Sequence, residues 1–212
     1  MKKALSFILT IATVALLTGC GGKDNNGEPS PESTGAAESS EAQTEVLSGK
    51  HHVEITVKDY GTISVELDAD AAPISVTNFV KLAEEGFYDG LTFHRIIDGF
   101  MIQGGDPLGT GMGGSDETIK GEFSANGVEN NLSHTRGAIS MARAQNYDSA
   151  SSQFFIVHAD SQFLDGQYAC FGYVTDGMDV VDAICRDAKP TDGNGTIPAA
   201  EQPVITEVRV ID

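Results

Sequence analysis

Phe93-His94-Arg95-Ile96-Ile97-Asp98-Gly99-Phe100-Met101-Ile102-Gln103-Gly104-Gly105-Asp106 sets one cation, Arg95, among large apolar residues. A neutral amide, Gln103, follows it eight positions later. A guanidinium near apolar groups is costly to bury unless it has a partner or a task. The acids of the run, Asp98 and Asp106, flank turn-forming glycines. A surface ion pair is the plain reading of Arg95; a fixed functional donor is the reading that explains its neighbours.

Outward from this run, the chain reads as short strands with two helices. Val53, Ile55 and Val57 alternate with polar residues, as do Ile63, Val65 and Leu67, around the turn Lys58-Asp59-Tyr60-Gly61. That pattern predicts a hairpin. Pro73 opens a helix at a position where its missing N–H costs nothing. Val76, Phe79, Val80 and Ala83 fall on one face of that helix, and Gly86 ends it. Short apolar runs follow at Phe100–Ile102, Ala138–Met141, Phe154–Val157 and Ala169–Val174. A second helix is predicted from Gly177 to Asp187, with Val180, Val181, Ile184 and Ala188 on one side, and a last strand over Val204–Val210. Many short strands with two helices imply a mainly β sandwich or barrel; periodicity leaves both open.

Three further segments extend the pattern of the first. Gly137-Ala138-Ile139-Ser140-Met141-Ala142-Arg143-Ala144, Ser151-Ser152-Gln153-Phe154-Phe155-Ile156 and Phe163-Leu164-Asp165-Gly166-Gln167-Tyr168-Ala169-Cys170-Phe171-Gly172 follow in order. With the Arg95 run, they resemble the four motifs of the cyclophilin family of peptidyl-prolyl isomerases, across essentially the whole of residues 50–212. The resemblance implies a closed eight-stranded antiparallel barrel capped by two α-helices. It also implies catalysis of X–Pro bond rotation. A non-catalytic module that holds Pro-containing peptides in the same cleft is the alternative, which intact Arg95 and Gln103 disfavour.

The resemblance assigns roles residue by residue. Arg95 is the donor to the proline nitrogen, and Gln103 positions it. Phe100, Met101, Phe155 and Leu164 line the proline pocket. The backbone around Ala142 and Arg143 holds the residue before proline. Gln153, Phe163 and Tyr168 finish the cleft. Three positions depart from the common pattern: Arg143 stands where Asn is frequent, Phe163 where many members carry Trp, and Tyr168 where many carry His. Arg143 is expected to add positive charge to the neighbouring pocket. Phe163 lacks the indole N–H donor.

Other motifs carry less. Gly109-Thr110-Gly111-Met112-Gly113-Gly114 matches a dinucleotide-binding pattern by letter but does not lie between a strand and a helix, so it reads as a loop edging the cleft. The five histidines show no metal-ligand spacing with the cysteines. His94 reads as a packed strand residue. No metal and no cofactor are expected.

Composition bounds the setting. The 212 residues hold 13 Lys+Arg against 31 Asp+Glu, a formal −18. Such a surface repels nucleic acid and excludes it as a partner. Lys2 and Lys3, followed by an apolar run from Leu5 to Leu17, read as an export signal over residues 1–19. Leu17-Thr18-Gly19-Cys20 resembles the bacterial lipobox, which implies that the Cys20 thiol carries a lipid. Loss of Lys2 and Lys3 would leave 11 bases and 31 acids, or −20. Residues 20–49 read as a disordered acidic tether. A flexible chain of that length spans roughly 30 Å r.m.s. and about 100 Å when straight. The expected protein is therefore a monomer, anchored in the cell membrane by lipid and facing outside the cytoplasm. Its expected partners are unfolded or Pro-containing exported polypeptides. Cys170, in a strand, and Cys185, late in a helix, are expected to be free thiols.

Overall fold

The computed structural model describes residues 46–212. The expected signal segment, Cys20 and nearly all of the expected tether lie outside the described residues. Strands β1 (Lys50–Val57) and β2 (Gly61–Asp68) form the predicted hairpin, in register from Val57–Gly61 to Lys50–Asp68. Its inward residues Val53, Ile55, Val57, Ile63, Val65 and Leu67 are fully buried. Helix α1 (Pro73–Glu84) follows, and Gly86 (φ +68°) ends it, its N–H donating to the Ala83 carbonyl at 3.0 Å. A distant residue closes its other end. The buried Glu122 carboxylate accepts the Ile74 N–H (2.9 Å), the Ser75 N–H (2.7 Å) and the Ser75 hydroxyl (2.6 Å). A carboxylate there satisfies orphan donors and meets the positive end of the helix dipole.

The remaining elements are β3 (Phe93–Ile97), β4 (Met101–Gly104), β5 (Ala138–Met141), β6 (Phe154–Val157), β7 (Cys170–Asp176), α2 (Met178–Asp187) and β8 (Ile205–Val210). Phe100 thus belongs to the β3–β4 turn and not to the strand. α2 buries Val180, Val181, Ile184 and Cys185, while Ala188 lies just past its end, half-buried. The strands form one antiparallel sheet in the order β3-β4-β6-β5-β7-β2-β1-β8.

The expected closed barrel is corrected to a strongly curled half-barrel. No ladder joins its edges β3 and β8; the segments before these strands meet at a single bridge, Thr92–Val204. The cause lies on the free edge of β3. The loop around Gly195 occupies it, through Ile96 N–H to the Gly195 carbonyl (2.8 Å) and Ile197 N–H to the His94 carbonyl (3.0 Å). Pro203, beside the bridge, has no N–H to extend a ladder.

The concave side packs an aromatic cluster. The Phe79 ring lies 4.9 Å from Tyr88, 5.3 Å from Phe154 and 5.4 Å from Phe171. On the opposite face a smaller apolar group of Met101, Phe155, Val157 and Leu164 gathers. A β-bulge decides which group receives the residues of β3. The register passes from Phe93–Gly104 directly to Arg95–Gln103, so His94 is extra. Without it, Phe93 and Arg95 would point the same way. With it, Phe93 enters the aromatic core and Arg95 stands on the other face.

His94 is buried, and neither ring nitrogen has a hydrogen-bond partner among the described residues. Burial holds its pKa below the usual imidazole range, as it does for His134. A depressed histidine pKa means that the unfolded chain takes up protons first, so stability is highest above about pH 6.5 and falls as pH drops below it. The melting temperature should therefore decline from pH 7 to pH 5, and more gently in His94→Leu than in the parent. Equal slopes in a thermal-melt series would show that His94 is not the titrating group.

Candidate active site

Arg95 is half-buried and its partners are neutral. Its Nε donates to the Asn194 carbonyl at 2.7 Å and its Nη1 to Gln103 Oε1 at 3.1 Å, with Met101 Sδ 3.8 Å from Nη1. Burial lowers its pKa, against which the nearby Tyr168 and Asp192 act, but a guanidinium starts so high that it stays charged. The polar chain continues. Gln103 Nε2 donates to Gln153 Oε1 (2.9 Å), and Gln153 Nε2 donates to the Gly113 carbonyl (2.7 Å).

The far end of this chain is the glycine-rich loop. Asp106 accepts the N–H groups of Leu108 (2.8 Å), Thr110 (2.9 Å) and Gly111 (2.5 Å). Burial would raise the Asp106 pKa, but these donors outweigh it and hold the carboxyl below its usual range. A side chain at Gly113 would meet Asp106 Oδ1 at 2.1 Å, so the close turn demands glycine. The loop edges the cleft, as expected, and binds no helix N-terminus.

Beside Arg95 lies a hollow of about 210 Å³. Phe100, Met101, Phe155, Leu164 and Tyr168 supply its apolar wall, and Gln103, Ala142 and Arg143 its rim. Its floor is rigid. Phe155 is wedged between His134, stacked at 5.9 Å and 17°, and the edge of Tyr168 at 5.9 Å. His134 is itself held by Asp165 (2.8 Å) and Ser140 (3.0 Å). Gln153 lies outside this hollow. It lines an adjoining one of about 390 Å³, with Gly111, Ser149 and Ser151 among its walls. Phe163 is a rim residue, 73% exposed, its ring 5.6 Å from that of Phe100.

Arg143 borders both hollows, yet its donors are engaged. Its guanidinium lies 4.7–5.1 Å from the rings of Tyr168, Tyr147 and Phe123. Its N–H groups reach the carbonyls of Gln167 (2.8 and 3.0 Å) and Ala144 (2.9 Å). These partners are neutral, so the side chain keeps its charge beside the hollow and also ties the cleft wall together. Its backbone N–H and C=O have no partner among the described residues.

Comparison with known proteins agrees with this geometry. The sequence model of the family described as cyclophilin type peptidyl-prolyl cis-trans isomerase/CLD matches residues 52–210. The chain belongs to the cyclophilin family. Peptidyl-prolyl cis-trans isomerase B of Bacillus subtilis is 51% identical over 123 residues, 58% of this chain and 82% of that protein. A Helicobacter pylori peptidyl-prolyl cis-trans isomerase is 48% identical over 126 residues, 58% of this chain and 74% of that protein. The crystal structure of a Cryptosporidium parvum cyclophilin, determined in the presence of the dipeptide Ala-Pro, superposes with a TM-score of 0.67 at 31% identity. It covers 76% of this chain and 99% of that one. This cyclophilin is accordingly a peptidyl-prolyl isomerase.

The sequence reading missed the loop that holds Arg95 from behind. Asp192 is exposed, and its carboxylate accepts the Asn194 N–H (3.0 Å), the Thr196 N–H (3.0 Å) and the Thr196 hydroxyl (2.9 Å). Those bonds hold its pKa below the usual range. Gly195 (φ +85°) passes so close to β3 that a Cβ would meet the Ile96 carbonyl at 2.6 Å. Asp192-Gly193-Asn194-Gly195 is legible as a turn; nothing in the sequence ties it to Arg95, 99 positions away from Asn194. Asp192 acts as a positioning residue of this cyclophilin, because the turn it braces presents the carbonyl that fixes Nε. Asp192→Ala should lower kcat/KM about 5- to 30-fold, the range set by loss of roughly 1–2 kcal/mol of hydrogen bonding. Asp192→Asn, which can still accept, should recover most of it. The Arg95 Nε–H signal in NMR should exchange faster in Asp192→Ala only. Equal activity of Asp192→Ala and the parent would remove Asp192 from the apparatus.

Proposed function

We propose that this isomerase is a lipid-anchored folding catalyst for exported polypeptides, and that Arg95 is its transition-state donor. The observation that carries the second part is the guanidinium held rigidly at the mouth of the apolar hollow. An X–Pro amide resists rotation by about 18–20 kcal/mol because resonance gives the C–N bond double-bond character. No bond is broken, so the catalyst needs only to favour the twisted amide over both planar forms. The pyrrolidine ring sits against Phe155, Met101 and Leu164, while the backbone of Arg143 holds the residue before it. As the amide twists, the proline nitrogen becomes pyramidal and gains a lone pair. A free N–H of Arg95 donates to it. Gln103 and the Asn194 carbonyl stop the guanidinium from turning away, so little reorganisation is needed at the moment of reaction.

Loss of one pre-aimed donor costs on the order of 10²–10³ in rate, or about 2.7–4 kcal/mol. Arg95→Ala should fold normally and fall by that factor in a protease-coupled assay on an Ala-Pro peptide. Activity within twofold of the parent would exclude the role, since twofold is under about half a kcal/mol of barrier.

Support for the anchor comes from Leu17-Thr18-Gly19-Cys20 and the acidic, apolar-poor segment after it. A tether reaching roughly 100 Å would let the domain meet chains as they emerge from the membrane. Cys20→Ser should lose incorporation of labelled lipid and the membrane attachment that depends on it. Labelling that persists in the mutant would disprove the anchor.

A further inference from the structure

The β3–β4 turn, the end of β6 and the last turn of α2 meet behind Phe100. They bring together donors that the sequence scatters. One atom each of Asp98, His158 and Cys185 lies within 4.8 Å of the others. We propose that these three residues form a binding site for one divalent transition-metal ion, Zn²⁺ by the chemistry of its donors.

The donor set is a carboxylate, an imidazole and a thiol. Hard cations such as Ca²⁺ and Mg²⁺ require oxygen ligands throughout, whereas Zn²⁺ accepts sulfur, nitrogen and oxygen together. Bonds of about 2.0–2.3 Å in a tetrahedral site place ligand atoms roughly 3.3–3.7 Å apart. His158 Nδ1 and Asp98 Oδ1 are already 3.4 Å apart. Asp98, whose side chain is 79% exposed, leaves a fourth position to water.

One feature beyond proximity suits a ligand: the state of His158. The Gly99 N–H points at Nδ1 (2.9 Å), so Nδ1 carries the lone pair and Nε2 the proton. Nε2–H then donates to Asp182 at 3.0 Å. That carboxylate is gripped by Arg136 at 2.8 and 2.9 Å, and Arg136 also donates to the His158 carbonyl at 2.7 Å. A carboxylate behind the ring is the support that fixes the tautomer and orientation of metal-binding histidines. Asp98 is exposed and has no Lys or Arg within ion-pair distance among the described residues, so its carboxylate is available to a ligand. A bound cation would displace the exposed Gly99 N–H from Nδ1 and leave it to solvent.

The test is a calorimetric titration of ZnCl₂ into the full-length chain after chelator treatment, repeated with Co²⁺ and followed by absorbance. One equivalent should bind saturably, and Co²⁺ should give a thiolate charge-transfer band in the near ultraviolet. Cys185→Ser should abolish that band, while Cys170→Ser keeps it. Asp98→Asn should weaken Zn²⁺ at least about 10-fold. That substitution lies on an exposed side chain, so circular dichroism should show an unchanged fold. No saturable binding, a band that survives in Cys185→Ser, or unchanged affinity in Asp98→Asn would each overturn the site. The readout is binding alone, so it stands or falls apart from the isomerase role of Arg95.

Discussion

A cation with no direct ion pair among the described residues organises this fold. Arg95 is braced by a main-chain carbonyl behind it and an amide oxygen beside it, both neutral. A carboxylate in either place would bind more strongly, but it would also draw the guanidinium's charge to itself. Neutral acceptors fix the fork in space and leave its charge to act on whatever occupies the hollow. The constraint propagates in two directions. One runs through Gln103 and Gln153 to the Gly113 carbonyl, and so to the loop pinned by Asp106. The other runs through Asn194 to the turn braced by Asp192.

That arrangement explains why the sheet does not close. A ladder between β3 and β8 would fill the free edge of β3 with a strand. The edge is given instead to the loop around Gly195, which delivers the Asn194 carbonyl to Arg95. The loss is a stretch of β-ladder; the gain is a fixed side chain. The bulge at His94 has the same character. It interrupts pairing with β4, and it is what sends Phe93 and Arg95 to opposite faces.

Legibility in the sequence followed the range of the forces. The hairpin of β1 and β2 could be read because its alternation is strict and its turn local. α1 could be read from Pro73, its apolar stripe and Gly86. The membership of the hollow was legible because the four motifs carry it: Phe100, Met101, Phe155, Leu164 and Tyr168 all face it. Asp192, Glu122 and the bulge were not legible. Each acts on a partner distant in sequence or depends on register, and neither periodicity nor turn chemistry encodes such pairings. The closed barrel failed for a like reason, since closure depends on what occupies one strand edge. The placement of Arg143 also needed three dimensions. Its residue type told of the charge but not of its setting, where three aromatic rings and three carbonyls surround it.

The hydrogen-bonded relay through Arg95 begins and ends on main-chain carbonyls, and between them lie one guanidinium and two carboxamides. None of these groups gains or loses a proton between roughly pH 4 and pH 12. The relay also has a single polarity, because each amide must turn its oxygen toward the preceding donor. The relay itself therefore keeps no proton inventory. Whatever acid limit the protein shows belongs to the groups that brace it, first the buried imidazoles of His94 and His134 and, at lower pH, the hydrogen-bonded carboxylates of Asp106 and Asp192. A relay built so keeps its geometry across media of very different acidity until the scaffold itself gives way.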